Sequence, residues 1–222
     1  FLQKCIDSGY AKKIIIEYNT NMTNLPERVL EMWKKFKQVR VGASIDGFGP
    51  MVEYQRWPLK WNQAYKNLKK LDEVCKQNWN IFAWLACTVT VYNVFHIPEF
   101  MWWKLKESNF KKINSSRKRP IITHHVAHGP KRTNIKLLPL DLKNDLVLHY
   151  NNWKEKFQFD NEISQDVKDN AIKILDSITN FAKSEDYSDN YLQEFINWTT
   201  YLDKTRKQSI LDVVPQYDKL FV

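Results

Sequence analysis

The first half of the chain alternates between two kinds of apolar pattern, and this alternation restricts the fold more than any other feature. Runs rich in β-branched and aromatic residues predict strands at 12–21, 39–43 and 80–92, the first of them buried on both faces. Between these runs, apolar residues recur every three or four positions, which predicts amphipathic helices. The order helix, strand, helix, strand, helix, strand, helix predicts parallel βαβ units.

These units carry no dinucleotide-binding glycine fingerprint, which favours a barrel-type sheet over a Rossmann domain. We therefore predict an α/β fold, with a partial (β/α) TIM-like barrel over residues 1–139 and a helical C-terminal region over 140–222. Beyond residue 108 the pattern loosens, and "NFKKIN" and "NIKLLP" are predicted as one or two further strands beside a basic, His-containing loop. The C-terminal pattern predicts three helices, at 141–158, 162–183 and 189–205.

The chain is basic, which limits the classes of partner. Its 222 residues include 34 Lys and Arg against 25 Asp and Glu, a net charge of +9. This excess is compatible with an anionic partner such as nucleic acid, with the densest blocks at 110–120 and 129–136. Blocks this short are typical of solvated loops, so a nucleic-acid surface is the less favoured interpretation.

The longest apolar run, the cysteines and the first helix bear on the cellular compartment and on the organisation of the chain. No apolar run reaches membrane-spanning length, so no membrane partner is predicted. Cys5, Cys75 and Cys87 are odd in number and widely spaced, which predicts reduced thiols in a cytoplasmic chain. The sequence opens at Phe1 inside an amphipathic helix whose apolar face has no upstream partner, so we expect further protein before it.

Small polar side chains follow each of the three predicted strands. They are "TNMT" (20–23), "SIDGFG" (44–49) and "TVTVYN" (88–93). In parallel α/β sheets ligands bind at the carboxyl ends of the strands, so these segments predict one polar rim. The alternative is that they only cap helices and close turns, as Ser, Thr, Asn and Asp commonly do.

Three longer segments carry a family resemblance. "EYNTNMTNLPE", "VRVGASIDGFGPMVEYQRWPLKWNQAYKNLKKL" and "TVTVYNVFHIPEF" resemble, in order and spacing, the central part of radical S-adenosylmethionine enzymes. The nearest likeness is to the twitch or SPASM branch, with its TNGT-like segment, SIDG or SLDG strand end, "EYxR" setting and later "TVxxxN". The resemblance covers roughly residues 1–105, continues weakly through "IKLLPLDLK", and returns in the tail "YLDKTRKQSILDVVPQYDKL".

The resemblance implies a cofactor-binding role for several rim residues. Ser44 occupies the place of the strand-end serine that contacts S-adenosylmethionine. Arg56 stands where an arginine reaches the methionine carboxylate, and a guanidinium fork suits that group. Asn21 and Thr20 would lie near the sulfonium or the substrate, while Asp46 would shape the loop with its neighbouring glycine.

Two further residues and one substitution complete the carried-over site. Thr88 and Asn93 are implied on the adenosine side or against the substrate. Met22 stands where the family has glycine in its TNGT segment, so this turn is expected to differ.

Two elements that define the family are missing from this sequence. The family binds a [4Fe–4S] cluster through CxxxCxxC, a spacing that the three cysteines do not reproduce, and a GGE-type segment is missing too. Both elements are expected upstream of Phe1, so the chain as given is expected to be inactive. No metal ligand is predicted within it, and the "HHVAH" segment (124–128) is interpreted as a loop or strand end rather than a metal site.

The implied function is part of a radical S-adenosylmethionine enzyme. The whole enzyme would cleave the cofactor reductively and abstract a hydrogen atom, with a peptide or protein as a possible substrate class. The alternative is a non-catalytic basic α/β protein that binds nucleic acid through residues 110–136, or a scaffold. The substrate, any auxiliary cluster and the oligomeric state are left open by the sequence.

Overall fold

A four-stranded parallel sheet organises the first part of the protein. The computed structural model describes residues 1–114 and 121–221. The strands stand in the sequential order β1-β2-β3-β4, and every neighbouring pair is parallel. Their bounds are Ile15–Thr20 (β1), Gln38–Ser44 (β2), Ile81–Val89 (β3) and Thr123–Val126 (β4).

Helices connect the strands and build the C-terminal part. Within the described residues, five lie before or between the strands: α1 (Leu2–Asp7), α2 (Glu27–Trp33), α3 (Gly49–Gln55), α4 (Trp61–Gln77) and α5 (Ile97–Lys106). Three long helices follow: α6 (Leu140–Phe159), α7 (Gln165–Lys183) and α8 (Ser188–Arg206). The predicted α/β class, parallel sheet and three C-terminal helices are confirmed. Within the described ranges, no helix combines the length and apolar character needed to cross a membrane.

The two faces of the sheet are covered to different extents. Val39, Val41 and Ala43 of β2 are fully buried on the covered face. On the opposite face, Ile15 of β1 and Phe82 of β3 remain 48% exposed. The predicted burial of the first strand on both faces is therefore wrong, because the face of β1 that carries Ile15 stays open.

The segment after α5 is held by a buried carboxylate rather than by a strand ladder. Asp72 of α4, which is 6% exposed, accepts hydrogen bonds from the backbone N–H groups of Lys111, Lys112 and Ile113 at 2.7, 2.7 and 2.8 Å. This carboxylate takes the donors that a strand would have used for a neighbour, so the predicted strand "NFKKIN" does not form.

The predicted strand "NIKLLP" is also wrong. Ile135–Leu137 forms a 3-10 turn, in which the Asn134 side chain accepts the backbone N–H of Lys136 at 3.0 Å. The fourth strand instead lies in the region predicted as a basic loop, and it contains His124 and His125.

Two buried tyrosines join the C-terminal part to the loop after β3. Tyr150 of α6 donates its hydroxyl to the carbonyl of Val94 at 2.6 Å. Tyr217, in the last 3-10 turn, donates to the carbonyl of Val91 at 2.5 Å. The conformation of the loop that follows β3 therefore depends on the C-terminal helices.

Candidate functional site

The polar segments predicted at the strand ends meet at one edge of the sheet. Thr20 pairs with Ala43, and Ser44 pairs with Ala86, so the carboxyl ends of β1, β2 and β3 are in register. Thr88 lies two residues beyond Ala86 on the same face of β3. The structure thus forms the predicted polar rim from three parallel strands.

A buried carboxylate, Asp46, connects the parts of this rim. Only 4% of Asp46 is exposed, and its Oδ1 atom accepts the backbone N–H of Thr88 at 2.7 Å. Its Oδ2 atom pairs with Nη2 of Arg56 at 2.6 Å. The backbone carbonyl of Asp46 accepts a hydrogen bond from Nδ2 of Asn93 at 2.8 Å. The loop after β2, the end of β3 and the end of α3 are therefore tied together at one residue.

Burial makes the charged form of Asp46 less favourable. Desolvation raises the pKa of Asp46 above its ordinary value, although the Arg56 guanidinium and the Thr88 N–H group both act to lower it. Because the pKa is raised on folding, the stability that this group contributes is greatest below its unfolded pKa and is lost as the pH rises through its folded pKa. The protein keeps a charged group here at a cost, and such carboxylates in clefts are functional-site candidates.

A cavity of about 570 Å³ opens beside this ion pair. Two of its lining residues have buried polar atoms without a hydrogen-bond partner among the described residues: Nε of Arg56, a donor, and Oε1 of Gln55, an acceptor. Trp57 supplies apolar surface and is 52% exposed. The lining residues are Asn21, Thr23, Gln55, Arg56, Trp57, Pro58, Leu59, Lys60 and Gln63.

The TNMT segment forms a tight turn at the mouth of this cavity. Thr20 Oγ1 accepts the backbone N–H of Met22 at 3.2 Å. Asn21 Oδ1 accepts the backbone N–H of Thr23 at 3.1 Å and its hydroxyl at 2.8 Å. The turn-closing interpretation therefore holds for Thr20 and for the carbonyl group of Asn21, while Asn21 also lines the cavity together with Arg56.

Met22 adopts the conformation that glycine favours in this turn. Its φ is +60°, its side chain is fully buried, and its carbonyl accepts Asn67 Nδ2 at 2.7 Å. The turn thus has the left-handed backbone of a glycine-containing turn even though a methionine stands there, and burial of the side chain offsets the strain.

This combination predicts an unusual order of stabilities. We expect Met22→Ala to lower the free energy of unfolding by about 3 kcal/mol because a buried side chain is lost. Met22→Gly should lower it by only about 2 kcal/mol, because glycine relieves the left-handed strain. Urea unfolding of both variants measures the difference, and a glycine variant less stable than the alanine variant would contradict this explanation.

The remaining predicted site residues lie at the rim but outside this cavity. Ser44 is half-buried on the open face beside Ala86. Asn93 is fully buried; its Nδ2 group binds the backbone carbonyls of Asp46 and Thr88, and its Oδ1 accepts the Thr90 N–H at 2.8 Å. The Asn93 amide therefore supports the loop from within.

Several residues near the rim are not among the predicted site residues. Gln55 and Trp57 belong to the short helix α3 and the turn after it, which had not been predicted. His125 of β4 is in register with Thr88 on the open face, beside Thr123, two residues before it on the same face. The Gly49–Pro50 pair, with proline in the first turn of α3, was the available signal for that helix.

A second cavity, of about 610 Å³, lies away from the rim. It is lined by Glu17 and Arg40 in the middle of their strands, together with residues that include Cys75, Phe82 and Trp84. None of the predicted site residues lines it, so it offers no support to the rim site.

The basic block at 129–136 is largely paired within the part of the chain that the structure describes. Arg132 binds Glu194 at 2.9 Å, and Lys136 binds Glu185 at 3.0 Å. Lys131 lies over the ring of Tyr187, 4.4 Å from its centroid. Lys118 and Arg119, which belong to the other block, lie outside the described residues. The block at 129–136 thus presents little unpaired charge for nucleic acid.

The described residues hold no evident metal-ligand cluster. His124 and His125 lie on β4, which excludes the helical spacing that a His124–His128 pair would need. No group of three His, Cys, Asp or Glu side chains in residues 1–114 and 121–221 could hold a metal ion. Cys5, Cys75 and Cys87 are unpaired and lie on α1, α4 and β3.

The fold and the rim together define an α/β protein with a parallel sheet and a candidate binding site for a small, partly anionic molecule. Comparison with known proteins adds no narrower class. No family model matches the chain, and neither the search of curated proteins nor the search of solved structures finds a significant match.

Proposed function

We propose that this chain is the S-adenosylmethionine-binding part of a radical S-adenosylmethionine enzyme of the twitch or SPASM type. The observation that carries the proposal is the cavity shared by Asn21 and Arg56 beside the buried Asp46–Arg56 pair. It combines an arginine donor without a partner with a polar turn at the carboxyl ends of parallel strands. Ligands of parallel α/β proteins bind at this edge of the sheet.

The strand order supports the proposed barrel origin of the sheet. The four strands follow one another in sequence order, without the reversal that creates the crevice of doubly wound folds. Sequential parallel strands with one face against helices are what a segment of a (β/α) barrel contains. In this proposal the open face, which carries Ser44 and Thr88, corresponds to the inside of that barrel.

The residues present fit the amino-acid part of the cofactor. Arg56 would bind the carboxylate, because its Nε–H donor is buried and has no partner among the described residues. Asn21 and Gln55 supply amide groups to the same cavity, and Trp57 supplies an apolar wall. When bound, S-adenosylmethionine would supply the alkyl-sulfonium chemistry, while this chain's own residues bind and orient it.

The described residues do not fit an iron–sulfur cluster. Cys5, Cys75 and Cys87 lie on three separate elements, and no group of three metal-ligating side chains is formed within the described ranges. We therefore assign no reductive step to this chain. Its proposed part in the reaction is to hold the cofactor at the rim.

The proposal is tested by titrating the isotopically labelled chain with S-adenosylmethionine and following its amide signals by NMR. We expect the signals of Asn21, Thr23 and Gln55 to shift. Arg56→Lys should weaken binding about tenfold, because lysine keeps the charge opposite Asp46 but loses the planar fork.

Arg40→Lys is the matched control, because Arg40 lines the other cavity. It should leave the affinity unchanged. Absence of shifts at the rim, or equal weakening by both variants, would contradict the proposal. Salt-dependent binding of an oligonucleotide without any response to S-adenosylmethionine would favour the nucleic-acid alternative instead.

A further inference from the structure

We propose that Asp46 is a positioning residue, which fixes the guanidinium of Arg56 so that the nitrogen atoms not bound by Asp46 remain available for a ligand carboxylate. This inference rests on the proposed function and assigns Asp46 a role other than contact with the cofactor. The structure supports it through the way that Asp46 is held, through the way that Arg56 is held, and through the charge of the pair.

Asp46 itself has little freedom to move. Its Oδ1 atom is fixed by the Thr88 N–H group at 2.7 Å, and its backbone carbonyl is fixed by Asn93 Nδ2 at 2.8 Å. Asn93 is in turn fully buried and bound to the backbone of Thr88 and Thr90. Its second carboxylate oxygen is therefore presented from a rigid support.

Arg56 depends on this support for its orientation. It follows the last residue of α3, and its side chain is 25% exposed. Nη2 binds Asp46 Oδ2 at 2.6 Å, whereas Nε is buried and has no partner among the described residues. Asp46 thus occupies one nitrogen of the fork, and a ligand carboxylate can bind at the nitrogen atoms that it leaves.

The hydrogen bond from the Thr88 N–H group does not require a charge on Asp46. An asparagine in the same place could still accept the Thr88 N–H through its Oδ1 atom. The carboxylate pairs with the Arg56 guanidinium at 2.6 Å although burial raises the pKa of Asp46, so the structure places an ion pair where a charge is costly to bury. Holding a guanidinium in one orientation is a task that a charged partner performs and an amide performs poorly.

The experiment compares Asp46→Asn with the wild-type chain and with Asp203→Asn. Asp203 is the matched control, because its carboxylate binds the Tyr54 hydroxyl of α3 at 2.7 Å and the Ile210 N–H at 2.8 Å without contacting Arg56. The first readout is the side-chain Nε–H signal of Arg56, whose NMR relaxation reports how firmly the guanidinium is held. The second is the affinity for S-adenosylmethionine in the NMR titration.

In Asp46→Asn we expect the Arg56 signal to become mobile and the affinity to fall about tenfold in a chain that remains folded. In Asp203→Asn both readouts should match the wild type. Unchanged Arg56 mobility and affinity in Asp46→Asn would overturn the positioning role alone. A wild-type chain that does not respond to S-adenosylmethionine would overturn the proposed function together with this inference.

Discussion

Asp72→Ala should lower the free energy of unfolding by about 4 kcal/mol, since three backbone donors lose their charged acceptor together. The carboxylate of Asp72 holds the N–H groups of Lys111, Lys112 and Ile113 within 2.8 Å. Each bond is charge-assisted, and the alanine side chain supplies no acceptor for these donors. Chemical unfolding followed by tryptophan fluorescence measures the change.

Asp72→Asn tests how much of this stabilisation depends on the charge of the carboxylate and how much on the position of its oxygen atoms. Two of the three bonds are made to Oδ1, an atom that an asparagine can supply, while the bond from Lys111 is made to Oδ2. The asparagine variant should therefore lie between the wild type and the alanine variant in stability. An alanine variant within about 1 kcal/mol of the wild type would show that these donors find other partners.

Tyr217→Ala is the second substitution with a large expected effect. Tyr217 is fully buried, its hydroxyl binds the Val91 carbonyl at 2.5 Å, and its ring meets those of Phe95 and Phe195 at 5.8 Å between centroids. We expect a loss of about 4 kcal/mol in the free energy of unfolding, from the lost burial and the cavity that remains. Thermal and urea unfolding both measure it.

Two comparisons define what that loss means. Tyr217→Phe should cost about 1 kcal/mol, because it removes the hydrogen bond and keeps the ring. Tyr201→Ala, at a position that is 61% exposed, should change stability by less than about 0.5 kcal/mol. If Tyr217→Ala were as mild as the exposed control, the C-terminal turn would not be part of the cooperative core.

The sequence predicted the elements whose signals are long and local. The runs at 39–43 and 80–92 are β-branched and bounded by turns, and both correspond to strands of the structure. The C-terminal helices show the helical period over many turns, and all three form. By contrast, β4 has only four residues, too few to establish a period.

The candidate site also has one feature that the sequence predicts and others that it does not. The meeting of the three polar segments at one edge follows from the rule for parallel strands, so the sequence predicted it. The Asp46–Arg56 contact depends on where α3 ends relative to the end of β2, and no local pattern contains that distance. The same is true of Asp72, whose carboxylate reaches backbone groups about forty positions further along the chain. Interactions of this kind arise only after the elements have packed.

The position of β1 in the sheet has a consequence for how the rim holds together. Among the strands that the structure describes, β2 and β3 have neighbours on both sides, whereas β1 pairs with β2 alone and carries the TNMT turn at its end. Within the sheet, the half of the rim that contains Asn21 is thus joined to one neighbouring strand, and the half that contains Arg56 is linked to β2 and β3 through Asp46. A molecule that contacts both Asn21 and Arg56 would therefore link the edge strand β1 to the rest of the sheet.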